Sequence, residues 1–82
     1  MPEIVRFYGI IIKMFFGDHP PPHFHVIYGE YNALFTIEPI QMLEGDLPKR
    51  AENMVSEWAS MYKSDLLNIW NTQEFRKLPP LK

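Results

Sequence analysis

The sequence contains no cysteine among its 82 residues. Disulfides and thiolate metal sites are therefore excluded, and a bound metal would need histidine or carboxylate ligands. No apolar run approaches the roughly 18 residues of a membrane span, and the N-terminus has no basic segment ahead of an apolar stretch. We therefore expect a cytoplasmic protein without a membrane partner.

The sequence also lacks an excess of basic charge, since eight Lys and Arg residues against ten Asp and Glu residues leave a formal net charge of −2. Such a chain has no global attraction to nucleic acid, so RNA is a partner only if a local basic patch forms. Apolar residues make up 46% of the chain and aromatic residues 15%, which is typical of a folded domain. A single domain over residues 1–82 buries a limited core, so a small protein partner or a homo-oligomer would add stability.

Alternating apolar positions predict an antiparallel sheet over about residues 4–45. The even positions of residues 8–16 are all apolar, and Gly9 suggests a bulge after a short lead-in strand at residues 4–7. Strands at 23–28 and 32–38 follow, joined through Gly29 by a hairpin turn. Residues 41–44 are favoured as an edge strand over a loop, so the sheet has three to four strands.

A helical region is predicted over about residues 47–75, with Pro48 in its first turn. Met54, Val55, Trp58 and Tyr62 follow at the spacing of one helical face. No Gly or Pro interrupts this region, which favours one long helix over a helical hairpin with a corner at 63–65. In both cases the order of elements predicts an α+β domain, with the helical region packed on one face of the sheet and an extended tail at 76–82.

A continuous helix would be longer than the sheet that it packs on. The apolar residues of its second half would then need cover from another molecule. Trp70 is the strongest anchor among them, because buried tryptophans often dominate interfaces. The candidate partner-binding residues are Leu66, Leu67, Ile69 and Trp70.

All three histidines, and three of the eight prolines, fall within residues 18–25. His23 and His25 are two positions apart, so in a strand their imidazoles share one face while Phe24 points to the other. Together with His19 and Asp18 they could bind a divalent transition metal. The competing interpretation is that the strand histidines are hydrogen-bonded surface residues and His19 is solvated.

The histidine pair also suits acid and base chemistry, because imidazole exchanges protons near neutral pH. A small ribonuclease would use His23 and His25 as acid and base, with Arg6 or Lys13 as the cation and Tyr8 as an auxiliary group. Nothing in the sequence forces these groups to converge, and an ordinary solvated strand face is the favoured interpretation of Arg6 and Lys13. Whether the protein is an enzyme stays open.

Several short segments, taken together, mark a family. They are Arg6-Phe7-Tyr8-Gly9, Asp18-His19, Pro22-His23-Phe24-His25, Tyr28-Gly29, Leu47-Pro48, Trp58 and Trp70. Through them the chain resembles the small bacterial proteins of the domain-of-unknown-function family four-one-six-zero. The resemblance implies a gene paired with a neighbour of a second small family, numbered two-four-four-two, in a compact module similar to a toxin–antitoxin pair. It also implies the loose label of transcriptional regulator, and it defines no catalytic residues.

Three hypotheses follow. The first is an interaction module of a two-component, toxin–antitoxin-like complex. The second is a small enzyme, a ribonuclease or a metal-dependent hydrolase, centred on His23 and His25. The third is a DNA-binding regulator, which the acidic balance and the lack of a basic recognition helix disfavour.

Overall fold

A five-stranded antiparallel sheet and two helices make up the fold, which a computed structural model describes for residues 3–15, 17 and 19–82. The elements are β1 (Glu3–Phe7), β2 (Ile10–Lys13), β3 (His23–Tyr28), β4 (Tyr31–Ile37), β5 (Ile40–Gly45), α1 (Lys49–Met61) and α2 (Lys63–Thr72). The strands pair in chain order from β1 to β5. The predicted α+β class is confirmed, with five strands where three to four were expected.

The additional strand comes from the turn at Tyr8 and Gly9. Both residues have positive φ, 48° and 80°, which is the backbone that a tight two-residue hairpin requires. Phe7 therefore pairs directly with Ile10, and the lead-in segment becomes a full edge strand. The predicted bulge at Gly9 is wrong; the register shift in this hairpin lies between Glu3 and Val5.

The next two hairpins follow the prediction more closely. Gly29, with φ of 60°, lies in the turn that connects β3 to β4, so that Tyr28 pairs with Tyr31. The favoured edge strand is confirmed as β5. At its end Gly45 has φ of 98°, and a Cβ there would lie 2.2 Å from the carbonyl oxygen of Asn32. Only glycine fits this position without a shift of the backbone.

The helical region is broken at Tyr62, so the preference for one continuous helix is wrong and the helical hairpin is correct. Tyr62 has φ of −118° and ψ of 25°, and its N–H donates to the carbonyls of Trp58 and Ala59. The corner precedes the predicted position at 63–65 by one residue. No Gly or Pro is needed, because the turn lets Leu66 and Ile69 become fully buried in the chain's own core. Helix α2 ends at Thr72, before the predicted residue 75, and is capped by Gln73 in the left-handed region with φ of 59°.

The core lies between α1 and one face of the sheet. Trp58 is fully buried, with its ring centroid 5.9 Å from that of Phe7 and 6.3 Å from that of Phe24. The segment after α2 closes the edge at β1, where the Leu78 N–H donates to the carbonyl of Ile4 and the Trp58 indole N–H donates to that of Pro79. None of the helices among the described residues is long and apolar enough to cross a membrane.

Candidate functional site

The second face of the sheet carries the histidines, as the two-residue period of β3 predicts. Phe24 and Val26 enter the core, whereas His23, His25 and Ile27 point to the opposite side. His23 and its register partner Thr36 are buried, and the other residues on this side are partly or fully exposed. We call this surface the open face; it includes Glu3, Arg6, Ile11, Lys13, His25, Ile27, Asn32, Leu34 and Glu44.

Strand register orders the open face into rows. One row crosses all five strands, because Glu3 pairs with Lys13, Lys13 with His25, His25 with Leu34, and Leu34 with Glu44. A second row contains Arg6, Ile11, Ile27 and Asn32. The open face therefore has an apolar patch, made by Ile11, Ile27 and Leu34, that His25 and Asn32 border. The cations Arg6 and Lys13 are on β1 and β2, and the carboxylates of Glu3 and Glu44 are on the two edge strands.

The two strand histidines lie together at the end of the open face nearest α2. Their ring centroids are 5.4 Å apart. Phe15 meets His25 edge-on at 4.4 Å, and the indole of Trp70 packs on His23 at 5.1 Å. His23 is only 9% exposed as a result, whereas His25 is partly exposed.

A backbone hydrogen bond orients the His23 ring. Its Nδ1 lies 2.9 Å from the carbonyl oxygen of Pro21. A carbonyl can only accept, so Nδ1 carries a proton and donates this hydrogen bond. The bond fixes the direction in which the other ring nitrogen, Nε2, points.

The loop between β2 and β3, which leads into the two strand histidines, is bound to the end of α2. The Gly17 N–H donates to Oε1 of Gln73 at 3.0 Å, and Nε2 of Gln73 donates to the carbonyl of Trp70 at 2.7 Å. One glutamine therefore links the loop between β2 and β3 to the helix end that covers His23. This contact explains why the histidine pair sits at a junction of elements.

The structure does not assemble the predicted metal ligands within its described part. His19 is exposed in the loop, and among residues 3–15, 17 and 19–82 no three His, Asp or Glu side chains form a group that could hold a metal ion. Asp18, the fourth candidate ligand, lies outside the described residues. His23 and His25 remain as two adjacent nitrogen donors.

The catalytic candidates are brought together only in part. Lys13 is directly across from His25 in the sheet. Arg6 is two strands from β3, and its guanidinium binds Glu3, with Nη2 2.9 Å from Oε1 and Nε 3.3 Å from Oε2. Tyr8 is in the β1–β2 turn with 61% of its surface exposed. The compact set is therefore His23, His25 and Lys13.

The carboxylate of Glu3 binds the cations at the β1 edge and shifts the pKa of its main partner. The hydrogen bonds from Arg6 lower the pKa of Glu3, and the same contact raises the pKa of Arg6. Lys77 adds a weaker contact, with its Nζ 3.7 Å from Oε2 of Glu3. Glu3 is thus shared by two cations and Arg6 is already paired.

The candidate partner-binding residues pack within the chain. Leu66 and Ile69 are fully buried. Leu67 is partly buried and packs against the core, and Trp70 is partly buried against His23. The outward apolar residues Ile11, Ile27 and Leu34 were not singled out from the sequence, although Ile11 and Ile27 stand at the expected solvent positions of alternating strands. Apolar residues at those positions were the available signal.

Comparison with known families gives one match. A family model described as Domain of unknown function (DUF4160) matches residues 9–71. No curated protein and no solved structure matches the chain. The matched range runs from the first hairpin turn to the end of α2 and includes the histidine pair, Trp70 and most of the open face.

Proposed function

The chain belongs to the family described as Domain of unknown function (DUF4160), and we propose that it is an interaction module, one component of a two-component complex of toxin–antitoxin type. The observation that carries the proposal is the open face. It carries an apolar patch, Ile11, Ile27 and Leu34, that is partly exposed because α1 packs on the other side of the sheet. Association through this face would bury it.

The composition of the open face supports association better than solvation. An antiparallel sheet with one solvated face normally alternates apolar and polar residues. Here Ile11 and Ile27 pair directly across β2 and β3, and Leu34 lies on the adjoining strand. Three branched apolar side chains on neighbouring strands form the kind of patch that marks a protein–protein interface.

This proposal moves the association surface from α2 to the sheet. Leu66 and Ile69 already serve the core and cannot also bind a partner without unfolding. Leu67 and Trp70 are half-buried, and Trp70 borders the site through His23. In this proposal Trp70 packs under the edge of the open face, against His23, and is not itself the main contact residue.

The test compares two apolar-to-charged substitutions. Leu34→Glu places a charge in the middle of the open face, whereas Met61→Glu alters an apolar residue at the end of α1 that is 59% exposed. Sedimentation velocity is measured for each chain alone and mixed with the product of the neighbouring gene. We expect Leu34→Glu to weaken association at least about tenfold, as at a desolvated interface centre, and Met61→Glu to leave it unchanged.

A strict monomer, both alone and in the mixture, would rule out the interaction proposal. Equal binding by the parent chain and the Leu34→Glu variant would show that association uses another surface. Circular dichroism of both variants checks that the fold is intact.

The histidine pair supports a second candidate, a small ribonuclease or metal-dependent hydrolase. Two imidazoles have ring centroids 5.4 Å apart; His23 is oriented by its hydrogen bond to Pro21, and His25 is the register partner of Lys13. Together they are a minimal acid–base pair with a cation. Cleavage of a short RNA is assayed with and without Zn²⁺ or Mn²⁺. Loss of cleavage in His25→Ala but not in His19→Ala would support this candidate, and equal rates in both would exclude it.

A further inference from the structure

We propose that the occupant of the open face is a second copy of this chain, arranged face to face about a two-fold axis. This inference rests on the proposed function, because it names the partner of the same surface. The unit that meets the second component of the complex is then a dimer, with the helices of both copies on its outside.

The charge arrangement of the cross-strand row carries the inference. In the part of the row that runs from β2 to β5, Lys13 is at one end and Glu44 at the other, with His25 and Leu34 between them. A surface with a cation at one end and an acid at the other cannot pair with a parallel copy of itself without bringing like charges together. A two-fold axis parallel to the strands reverses the order of the strands, so opposite charges meet. A two-fold axis perpendicular to the strands, in the plane of the sheet, would keep that order and bring like charges together.

The position of the axis follows from the register. An axis parallel to the strands and between β3 and β4 places β3 over β4 of the second copy, and β2 over β5. Lys13 then faces Glu44 of the second copy, and His25 faces Leu34. Because the axis applies the same contact twice, the dimer has two Lys13–Glu44 pairs. They flank a centre in which His25 faces Leu34 and Ile27 faces Asn32.

Lys13 and Glu44 both keep a charge that a second copy can pair with. Glu3 is the register neighbour of Lys13 in β1, but its carboxylate is bound by Arg6 at 2.9 Å and lies 3.7 Å from Lys77. Glu44 is exposed. A charged partner from another molecule therefore matches both ends.

The open face also has a depression between β4 and β5. A cavity of about 220 Å³ is lined by Asn32, Ala33, Leu34, Glu44 and Gly45. Gly45 lies at its edge, with its backbone against that of Asn32 and Ala33. The same axis brings Ile11 of the second copy over this depression, so an outward isoleucine meets an apolar hollow.

The size of the face sets the expected strength of the dimer. The axis makes four strands of each copy overlap, β2 to β5, and at about 4.8 Å between neighbours these four strands are about 14 Å wide. A contact of this width is at or below the small end of specific interfaces. We therefore expect a weak dimer that is seen in a concentration series from micromolar to millimolar. Sheets packed face to face would lie about 10 Å apart.

The experiment is a charge exchange between two variants, Lys13→Glu and Glu44→Lys. In each variant alone, the two ends of the row carry like charges, so the homodimer contains two repulsive contacts. In an equimolar mixture the mixed dimer regains two attractive contacts. Sedimentation equilibrium should show each variant associating at least about tenfold more weakly than the parent chain, and the mixture returning toward the parent value.

The outcomes separate this inference from the proposed function. Rescue in the mixture supports the two-fold arrangement, and it also shows that the variants fold, because an unfolded chain would not restore binding. Dimers that ignore both substitutions would overturn the inference. So would a chain that is monomeric alone but binds its neighbour's product in a Leu34-dependent way, although that result upholds the proposed function. A chain monomeric in both settings would overturn both.

Discussion

The two faces of the sheet are made by the same strands, yet α1 covers only one of them. The contrast is sharpest at three consecutive isoleucines, since Ile10 and Ile12 are fully buried while Ile11 is partly exposed. Identical side chains one position apart therefore have different roles. The difference teaches that alternation assigns residues to faces, and that the position of the helices decides which face becomes the core.

The largest expected effect tests that contrast directly. Ile12→Ala should lower the free energy of unfolding by about 2–5 kcal/mol, because it leaves a cavity in the core. Ile11→Ala, the matched control on the open face, should cost less than about 1 kcal/mol. Urea denaturation of dilute samples measures both. Equal losses would mean that the open face is covered even in the dilute chain.

The next effect concerns the backbone at the edge of the open face. Gly45→Ala should destabilise the protein by about 2–4 kcal/mol, because a Cβ would meet the Asn32 carbonyl at 2.2 Å and φ is 98°. Gly29→Ala is the control, since its φ is 60° but no atom lies within 4 Å of the added Cβ; about 1 kcal/mol is expected. Thermal unfolding ranks the two, and a smaller loss for Gly45→Ala would contradict the close approach.

A smaller effect is expected where the segment after α2 packs against the core. Trp58→Phe removes the indole N–H that donates to Pro79 at 2.7 Å, and we expect a loss of about 1–3 kcal/mol from the missing hydrogen bond and the smaller ring. Hydrogen exchange at Leu78, whose N–H donates to Ile4, should speed up in the same variant. Unchanged protection of the Leu78 amide would show that the two contacts with the segment are independent.

The smallest effect lies at the exposed β1 edge. Arg6→Gln should raise the pKa of Glu3 toward its ordinary value of 4.5, followed by carboxyl carbon NMR. Because the folded-state pKa is lowered, the pair stabilises the protein above the ordinary pKa, and this contribution is lost as pH falls through the lowered value. Lys77→Gln should shift the same pKa less, since Lys77 is a lesser cause than the Arg6 hydrogen bond. The reverse order would show that Lys77 is the main partner.

Local pattern determined a large part of this protein. A period of two placed Phe24 and Val26 in the core and put the strand histidines on the opposite side, because successive side chains in a strand point to opposite faces. Helical spacing likewise identified Val55 and Trp58 as core residues. Gly29 marked its hairpin because few other residues adopt positive φ without cost.

Only the tertiary structure decided the rest. No Gly or Pro in the sequence marks the break between the helices at Tyr62. The break follows from the burial of Leu66 and Ile69, which depends on where the sheet ends. The contact between Trp70 and His23 joins residues far apart in the chain, so no local pattern could predict that one histidine is buried and its neighbour partly open. Likewise the row from Lys13 to Glu44 exists only through the pairing of β2 to β5. Local periodicity sets the direction of a side chain, but what that side chain meets depends on segments that the fold brings together.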